Sequence, residues 1–192
     1  MSMLPGAKRA EHKRPRQADD WYRESRLAVE ALFDEVIFTG PIHDPACGDG
    51  LIPIIAQEQG YAASGSDLVG RGYGEGGIDF LTDFTSRTTL IFNAPYSLNE
   101  AFISHALAVA SAEVAAIARV TFLCGQWRYR NLWAPSPPAS LCRCRDARAC
   151  RPVTVRARQR TVLLTMPGSV WSKGPLRWRC TSVDTVLTWA PP

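Results

Sequence analysis

Short apolar segments that end in turn residues alternate with helical segments between residues 40 and 123. Candidate strands lie within "GPIHDPA" (40–46), "YAASGSDL" (61–68), "TTLIFNAPY" (88–96) and "EVAAIARVTFL" (113–123). Helices are predicted for 51–60 and 99–112, and apolar residues between Leu27 and Val36 recur at helical spacing after a possible cap at Asp19 or Asp20. This alternation predicts an α/β fold with a parallel, doubly wound sheet, whose ligands bind beyond the carboxyl ends of the strands.

Charge is distributed unevenly along the chain. The 192 residues are 46% hydrophobic and 21% charged, which is typical of one globular domain. Residues 1–140 contain 12 basic and 16 acidic side chains, whereas residues 141–192 contain 10 and 2. We therefore predict three parts: a disordered basic arm (1–18), a folded domain (19–133) and an atypical basic tail rich in Cys and Arg (134–192). Because no apolar signal or membrane-spanning segment is evident, we expect a cytoplasmic protein.

The stretch "HDPACGDG" (43–50) lies between a candidate strand and a candidate helix. Gly48 and Gly50 allow a tight turn and close approach of the backbone to a ligand. Asp67 ends the next strand, where a carboxylate can accept hydrogen bonds from both ribose hydroxyls of a nucleoside cofactor. Asp79 could then accept a hydrogen bond from an adenine amino group. The alternative for "DPACGDG" by itself, which we favour less, is a plain strand–turn–helix connection.

A second glycine-rich segment, "GRGYGEGG" (70–77), matches the dinucleotide fingerprint G-x-G-x-x-G as a string. It follows the acidic residue Asp67 instead of preceding it, and no helical pattern begins after it. A lone match of this kind is weak, so we interpret the segment as a loop and not as a phosphate site.

The stretch "NAPYS" (93–97) follows the apolar residues 90–92. The side-chain oxygen of Asn93 and the carbonyl of Ala94 could accept both hydrogens of a planar amine and favour a tetrahedral nitrogen. Pro95 stiffens the turn, and Tyr96 offers a ring on which a base could stack. These features suit methyl transfer to an amine, in which alignment supplies most of the rate and no general base is required. The alternative is an ordinary turn after a buried strand.

Taken in order, "DPACGDG", "GSD", "DFL" and "NAPYS" resemble the motifs of class I S-adenosylmethionine-dependent methyltransferases. More narrowly, they resemble the amino-methylating Asn-Pro-Pro-Tyr type that includes N6-adenine DNA methyltransferases and small phage or prophage proteins. The resemblance covers about residues 20–130. It implies a Rossmann-like class I methyltransferase sheet, which could be incomplete at its C-terminal edge, and S-adenosylmethionine as cofactor.

The resemblance also implies roles for individual residues. The implied cofactor-binding residues are Glu24, Asp44, Ala46, Gly48 and Gly50 near the methionyl group, Asp67 at the ribose and Asp79 at the adenine. The implied catalytic residues are Asn93, Ala94, Pro95 and Tyr96. Two positions depart from the pattern, since Ser25 and Ala94 stand where Pro is usual; at Ala94 only the backbone carbonyl is needed.

The preferred expectation is therefore methyl transfer to adenine N6 in DNA, with DNA as the partner and no membrane association. The same motif serves methyltransferases that act on RNA bases and on protein amide nitrogens, so these targets stay open. A third alternative is a remnant that binds cofactor or nucleic acid without catalysis.

The tail after residue 134 has three open interpretations. Its arginines could form a nucleic-acid arm. Cys142, Cys144 and Cys150 could hold a metal, although the spacing lacks the paired C-x-x-C of zinc sites and no metal is expected. Alternatively, the richness in Arg, Cys, Pro, Ser and Trp, with no Glu, is typical of a segment translated out of its original frame. Only "TVLLTM" (161–166) in this region has a strand-like pattern.

Overall fold

The computed structural model describes residues 20–136, 138, 140–146, 149–151 and 161–167; the predicted arm at 1–18 lies outside the described residues. The first part of the chain contains α1 (Arg26–Glu35), β1 (Ile42–Asp44), α2 (Leu51–Glu58), β2 (Ala63–Asp67), β3 (Glu75–Gly76), β4 (Arg87–Phe92), α3 (Asn99–Val109) and β5 (Ala110–Ala118). The later part contains α4 (Gln126–Arg128), a π-helical turn (Tyr129–Trp133), β6 (Ser140–Asp146), β7 (Ala149–Arg151) and β8 (Thr161–Pro167).

The strands form one sheet in the order β3-β2-β1-β4-β5-β8-β6-β7. The five strands from β1 to β5 are parallel, which confirms the predicted doubly wound α/β arrangement. In the register of β1 with β4, His43 lies opposite Leu90. Asp44 and Asn93 therefore follow at neighbouring strand ends, on the same edge of the sheet.

Successive side chains of β4 point to opposite faces of the sheet, and both faces are covered by helices. Leu90 and Phe92 belong to a buried cluster with α3, whereas Ile91 belongs to a second cluster with α1 and α2. All three side chains are fully buried. A central strand of a parallel sheet is apolar throughout for this reason, and the run Leu90–Phe92 is that signature in the sequence.

Several predicted boundaries were wrong. The first helix begins at Arg26 after an extended Ser25, and Asp20 does not cap it but accepts a hydrogen bond from the Ser97 N–H (2.9 Å). The predicted helix 99–112 ends at Val109, because the backbone is already extended at Ala110 and continues as β5. The predicted loop 70–77 contains the two-residue strand β3.

The tail contributes three strands to the β5 edge of the sheet. The strand predicted at 161–166 is confirmed as β8, which pairs antiparallel with β5. Strands β6 and β7 were not predicted, although Cys142, Arg143, Cys144 and Arg145 alternate with the period of a strand. The hypothesis of a shifted reading frame stays a prediction, which translation of the other two frames from about codon 125 would test. None of the described helices has the length and apolarity needed to cross a membrane.

The turn between β1 and α2 depends on glycine. Gly48 and Gly50 have φ of +55° and +88°, and Gly50 stands directly before the first residue of α2. A Cβ at Gly50 would overlap the Tyr73 ring, and one at Gly48 would lie 2.7 Å from Nε1 of Trp21. Glycine is therefore needed at both positions, because φ is positive there and because neighbouring rings leave no room for a Cβ.

We predict that Gly50→Ala destabilises the protein more than Gly60→Ala. Both glycines have φ of +88°, but a Cβ at Gly60 would meet nothing within 4 Å. Gly60→Ala should cost about 1 kcal/mol of backbone strain, and Gly50→Ala about 2 kcal/mol more through overlap with Tyr73. Urea unfolding of both variants measures this difference, and equal losses would contradict the packing role of Gly50.

Candidate functional site

The carboxyl ends of the parallel strands meet at a cavity of about 410 Å³. Its size lies within the range of small-molecule sites in proteins. The residues that line it come from the turn after β1, the end of β2, the segment before β4, the turn after β4 and the segment before α1; they include Ala46, Asp67, Asp79, Asn93, Pro95, Trp21 and Tyr22. The structure therefore brings the predicted residues Ala46, Asp67, Asp79, Asn93 and Pro95 to one cavity. The other predicted site residues do not line it: Glu24, Asp44, Gly48, Gly50, Ala94 and Tyr96.

Asp67 is held rigidly at the end of β2. Its Oδ2 accepts a hydrogen bond from the Gly48 N–H (2.8 Å), and its Oδ1 accepts one from the Val69 N–H (2.9 Å). This ties the glycine turn to the neighbouring strand. Each carboxylate oxygen keeps a further lone pair, so Asp67 can still accept hydrogen bonds from a ligand in the cavity.

Asp79 belongs to the segment before β4. It caps the 3₁₀ turn Phe80–Thr82, and its Oδ1 accepts a hydrogen bond from the Leu81 N–H (3.0 Å). Its side chain is exposed and lines the cavity. Asp67 and Asp79 therefore both line the cavity.

Asp44 is the most buried acid of the site. Its Oδ1 accepts a hydrogen bond from the Ala46 N–H (3.0 Å), but its Oδ2 has no hydrogen-bond partner among the described residues. Burial raises the pKa of Asp44 well above its ordinary value, and the nearby charges of Glu24 and Asp67 raise it further. A buried carboxyl group with an unused oxygen is a site where a ligand cation would be stabilised.

Glu24 adds to this acidic environment from the segment before α1. Its pKa is raised chiefly by burial, partly offset by hydrogen bonds to the carboxylate, one of them from Asn93. The nearby Asp49 is paired with Arg23 (2.8 Å). Glu24 and Asp44 therefore form the part of the site that would gain most from a positively charged ligand.

The orientation of the Asn93 amide follows from its partners. Nδ2 donates hydrogen bonds to the Tyr22 carbonyl (2.7 Å) and to Oε2 of Glu24 (3.3 Å). A backbone carbonyl can only accept, so the NH₂ group must face Tyr22 and Oδ1 must face the other way. Asn93 also lines the cavity, which leaves its Oδ1 available as an acceptor.

Tyr96 is part of an aromatic and cationic group. Its ring stacks on Tyr22 with centroids 5.0 Å apart, and the Arg119 guanidinium lies 4.2 Å from the Tyr96 centroid and 6.0 Å from that of Tyr22. Because Arg119 lies only 6.0 Å from the Tyr22 ring, the Tyr96 ring does not stand between Arg119 and Tyr22. The three side chains form one compact group. Tyr22 and Arg119 were not predicted as site residues.

The segment 20–24 crosses the site and contacts a different loop at each step. Asp20 bonds the backbone of Ser97, the Trp21 ring lies against Gly48, and the Tyr22 carbonyl holds Asn93. The sequence predicted only Glu24 from this segment. The signal that could have indicated the rest is "WY" (21–22), two large aromatic residues placed directly before an amphipathic helix.

The nucleophilic and basic side chains nearby are held in unreactive forms. Burial raises the pKa of the Cys47 thiol to about 12. Burial also lowers the pKa of His43 to about 4, and its ring bonds Ser64 (2.9 Å) and Ser66 (3.0 Å) in a separate cavity. At neutral pH neither residue is charged, so Cys47 is not a thiolate nucleophile here.

Comparisons with known proteins identify the fold. No protein-family model and no curated protein sequence matches the chain. Among solved structures, the Thermoplasma acidophilum protein 1320 has a TM-score of 0.52 at 17% identity, over 76% of this chain and 84% of that one. Magnesium protoporphyrin IX methyltransferase from Synechocystis, with bound SAM, has a TM-score of 0.51 at 14% identity, over 75% and 79%. A putative RNA methyltransferase from Pyrococcus horikoshii has a TM-score of 0.57 at 14% identity, over 82% and 92%. The chain shares the Rossmann-like fold of these structures, two of which are named as methyltransferases, and this confirms the predicted fold class.

We predict that Asp44→Asn makes stability less dependent on pH. Folding raises the pKa of Asp44, so the folded state binds the proton more tightly than the unfolded state, and the free energy of unfolding falls as pH rises above the ordinary value of 3.8. Urea unfolding at pH 5 and pH 8 should show a smaller loss for Asp44→Asn than for the wild type. Asp34→Asn, on the exposed face of α1, is the control with the same change of charge. An identical slope for the wild type and Asp44→Asn would contradict the burial of an unpaired carboxyl group.

Proposed function

We propose that this protein transfers a methyl group from S-adenosylmethionine to an exocyclic amine, with adenine N6 in DNA as the preferred target. The observation that carries the proposal is the amide of Asn93, whose NH₂ is occupied by Tyr22 and Glu24 and whose oxygen is left for the cavity. That arrangement supplies a fixed acceptor for an amine hydrogen.

The residues around the cavity fit S-adenosylmethionine. The unpartnered Oδ2 of Asp44 and the carboxyl group of Glu24 suit the ammonium group of the methionyl part. Asp67 suits the ribose hydroxyls, and Asp79 suits the adenine amino group. When bound, the cofactor supplies an electrophilic methyl group whose departure leaves a neutral thioether.

The protein's contribution to the reaction is to orient the amine. Asn93 Oδ1 accepts a hydrogen bond from one amine N–H and the Ala94 carbonyl accepts one from the other, which draws the nitrogen toward tetrahedral geometry. The nitrogen would release one of its protons to water once it carries the methyl group. Pro95 and the bond from the Leu98 N–H to its carbonyl (2.9 Å) fix this turn ahead of α3. Alignment of nitrogen and methyl group then supplies most of the rate. This suits a site whose nearby Cys47 and His43 are uncharged at neutral pH.

RNA is the second candidate target. It is favoured by the likeness to a putative RNA methyltransferase, in addition to the shared chemistry of the planar amine. A protein amide nitrogen has the same chemistry but no further support. The proposal includes action in the cytoplasm of a bacterium or a phage-infected host, and a phage or prophage origin.

We predict that the wild type incorporates labelled methyl groups into DNA and that Asn93→Ala abolishes this, with a loss of at least about 100-fold because an acceptor used in the transition state is removed. Affinity for S-adenosylmethionine should fall by less than about tenfold, since on the cofactor side only the hydrogen bond from Asn93 to Glu24 is lost. Parallel assays with RNA and with a glutamine-containing protein identify the target.

Asn93→Asp is the matched variant. It keeps an acceptor oxygen but loses the NH₂ that bonds the Tyr22 carbonyl, so we expect activity between those of the wild type and Asn93→Ala. Unchanged methylation by Asn93→Ala would refute the catalytic assignment. Cofactor binding without methylation of any target would instead indicate a non-catalytic remnant.

A further inference from the structure

Arg119 is placed beside the catalytic turn without an acidic partner. It follows the last residue of β5, the neighbour of β4, and its side chain is exposed. Among the described residues it forms no ion pair, and its guanidinium contacts only the rings of Tyr96 and Tyr22. An unpaired cation at this position is available to an anionic ligand that enters over Tyr96.

The chain beyond Arg119 exposes two large rings. Trp127 and Tyr129 are 58% and 57% exposed, whereas Trp133 at the end of the same helical stretch is buried against Phe122. Arg130 between them is exposed as well. Trp127 was not among the predicted site residues.

A network around Arg128 fixes this segment next to the catalytic turn. Its Nε donates to Oε1 of Glu100 (2.8 Å) in the first turn of α3, which begins three residues after Tyr96. Another guanidinium nitrogen donates to the carbonyls of Phe122 (3.2 Å) and Cys124 (2.8 Å). The positions of Trp127 and Arg130 relative to the site are therefore determined by packing.

We propose that Arg119, Trp127 and Arg130 form a rim that binds an unpaired nucleic-acid strand across the catalytic turn. This inference rests on the proposed function. Arg119 holds a phosphate close to the target nucleotide, and Arg130 holds a second one further along. Trp127 stands three residues before Arg130, on the same side of the helical stretch, and takes a base by stacking.

The choice of an unpaired strand follows from the exposed Trp127 ring. Exposed arginines attract any polyanion, but Trp127 can stack only on a base whose face is not already covered within a duplex. The combination of cationic and aromatic groups is the recognition chemistry of single strands. An acidic peptide would satisfy Arg119 and Arg130 and leave the Trp127 ring without a partner.

Fluorescence anisotropy with a labelled single-stranded oligonucleotide tests the rim without requiring methylation. The full-length wild type should bind the single strand at least about tenfold more tightly than a duplex of the same sequence. Trp127→Ala should weaken this binding about tenfold through loss of one stacking contact. Arg119→Gln should lower the slope of log affinity against log salt by about 1.

Matched controls lie at the amino end of β4, whereas the catalytic turn follows its carboxyl end. Phe84→Ala removes a 76% exposed ring in the segment before β4, and Arg87→Gln removes one positive charge at the first residue of β4. Neither should change strand affinity by more than about twofold. If the controls weaken binding as much as the rim variants, or if the duplex binds as tightly as the single strand, the proposal is wrong.

Two further results separate this proposal from the proposed function. Cofactor binding and methylation of a free nucleoside that survive in Trp127→Ala, together with lost strand binding, support the rim. If Trp127→Ala retains strand binding while size-exclusion chromatography shows a change in oligomeric state, this ring belongs to an interface between copies and the rim proposal fails. Absence of cofactor binding by the wild type would refute the proposed function and leave the anisotropy result standing by itself.

Discussion

The hydrogen bond from Nδ2 of Asn93 to the Tyr22 carbonyl joins two parts of the chain that the sheet alone would leave separate. Asn93 directly follows the last residue of β4, and Tyr22 belongs to the segment before α1. This bond fixes which way the Asn93 amide points, because a carbonyl cannot donate. The same contact brings the Tyr22 ring onto Tyr96 and thereby shapes the opening of the site.

The buried acids Asp44 and Glu24 have no ion-pair partner among the described residues. Asp44 is buried with one unpartnered oxygen, and Glu24 lies close enough to raise its pKa. In the free protein this arrangement lowers stability at neutral pH. A cationic ligand would relieve it, so the local instability and the ability to bind such a ligand have the same cause. Of the nearby cations, Arg23 is paired with Asp49 and Arg119 faces the Tyr96 ring.

Much of the fold was predictable because its determinants are local. The run Leu90–Phe92 predicts a strand buried on both faces, and glycines at 48 and 50 predict the turn that opens α2. The parallel topology then brings Asp44, Asp67 and Asn93 to one edge. Residues such as Tyr22 and Arg119 could not be predicted, because their contacts depend on how distant segments pack and not on any periodicity. The early start of β5 at Ala110 was missed because its first residues are small and fit a helix equally well.

The most direct measurement is a calorimetric titration of the wild-type protein with S-adenosylmethionine. The account predicts one site per chain with a Kd far below about 1 mM. It also predicts proton release on binding near the raised pKa of Asp44, since a bound ammonium group favours the ionised carboxyl. Titration in buffers of different ionisation enthalpy would detect this release. If no binding occurs below about 1 mM, the cavity is not a cofactor site and the account is contradicted.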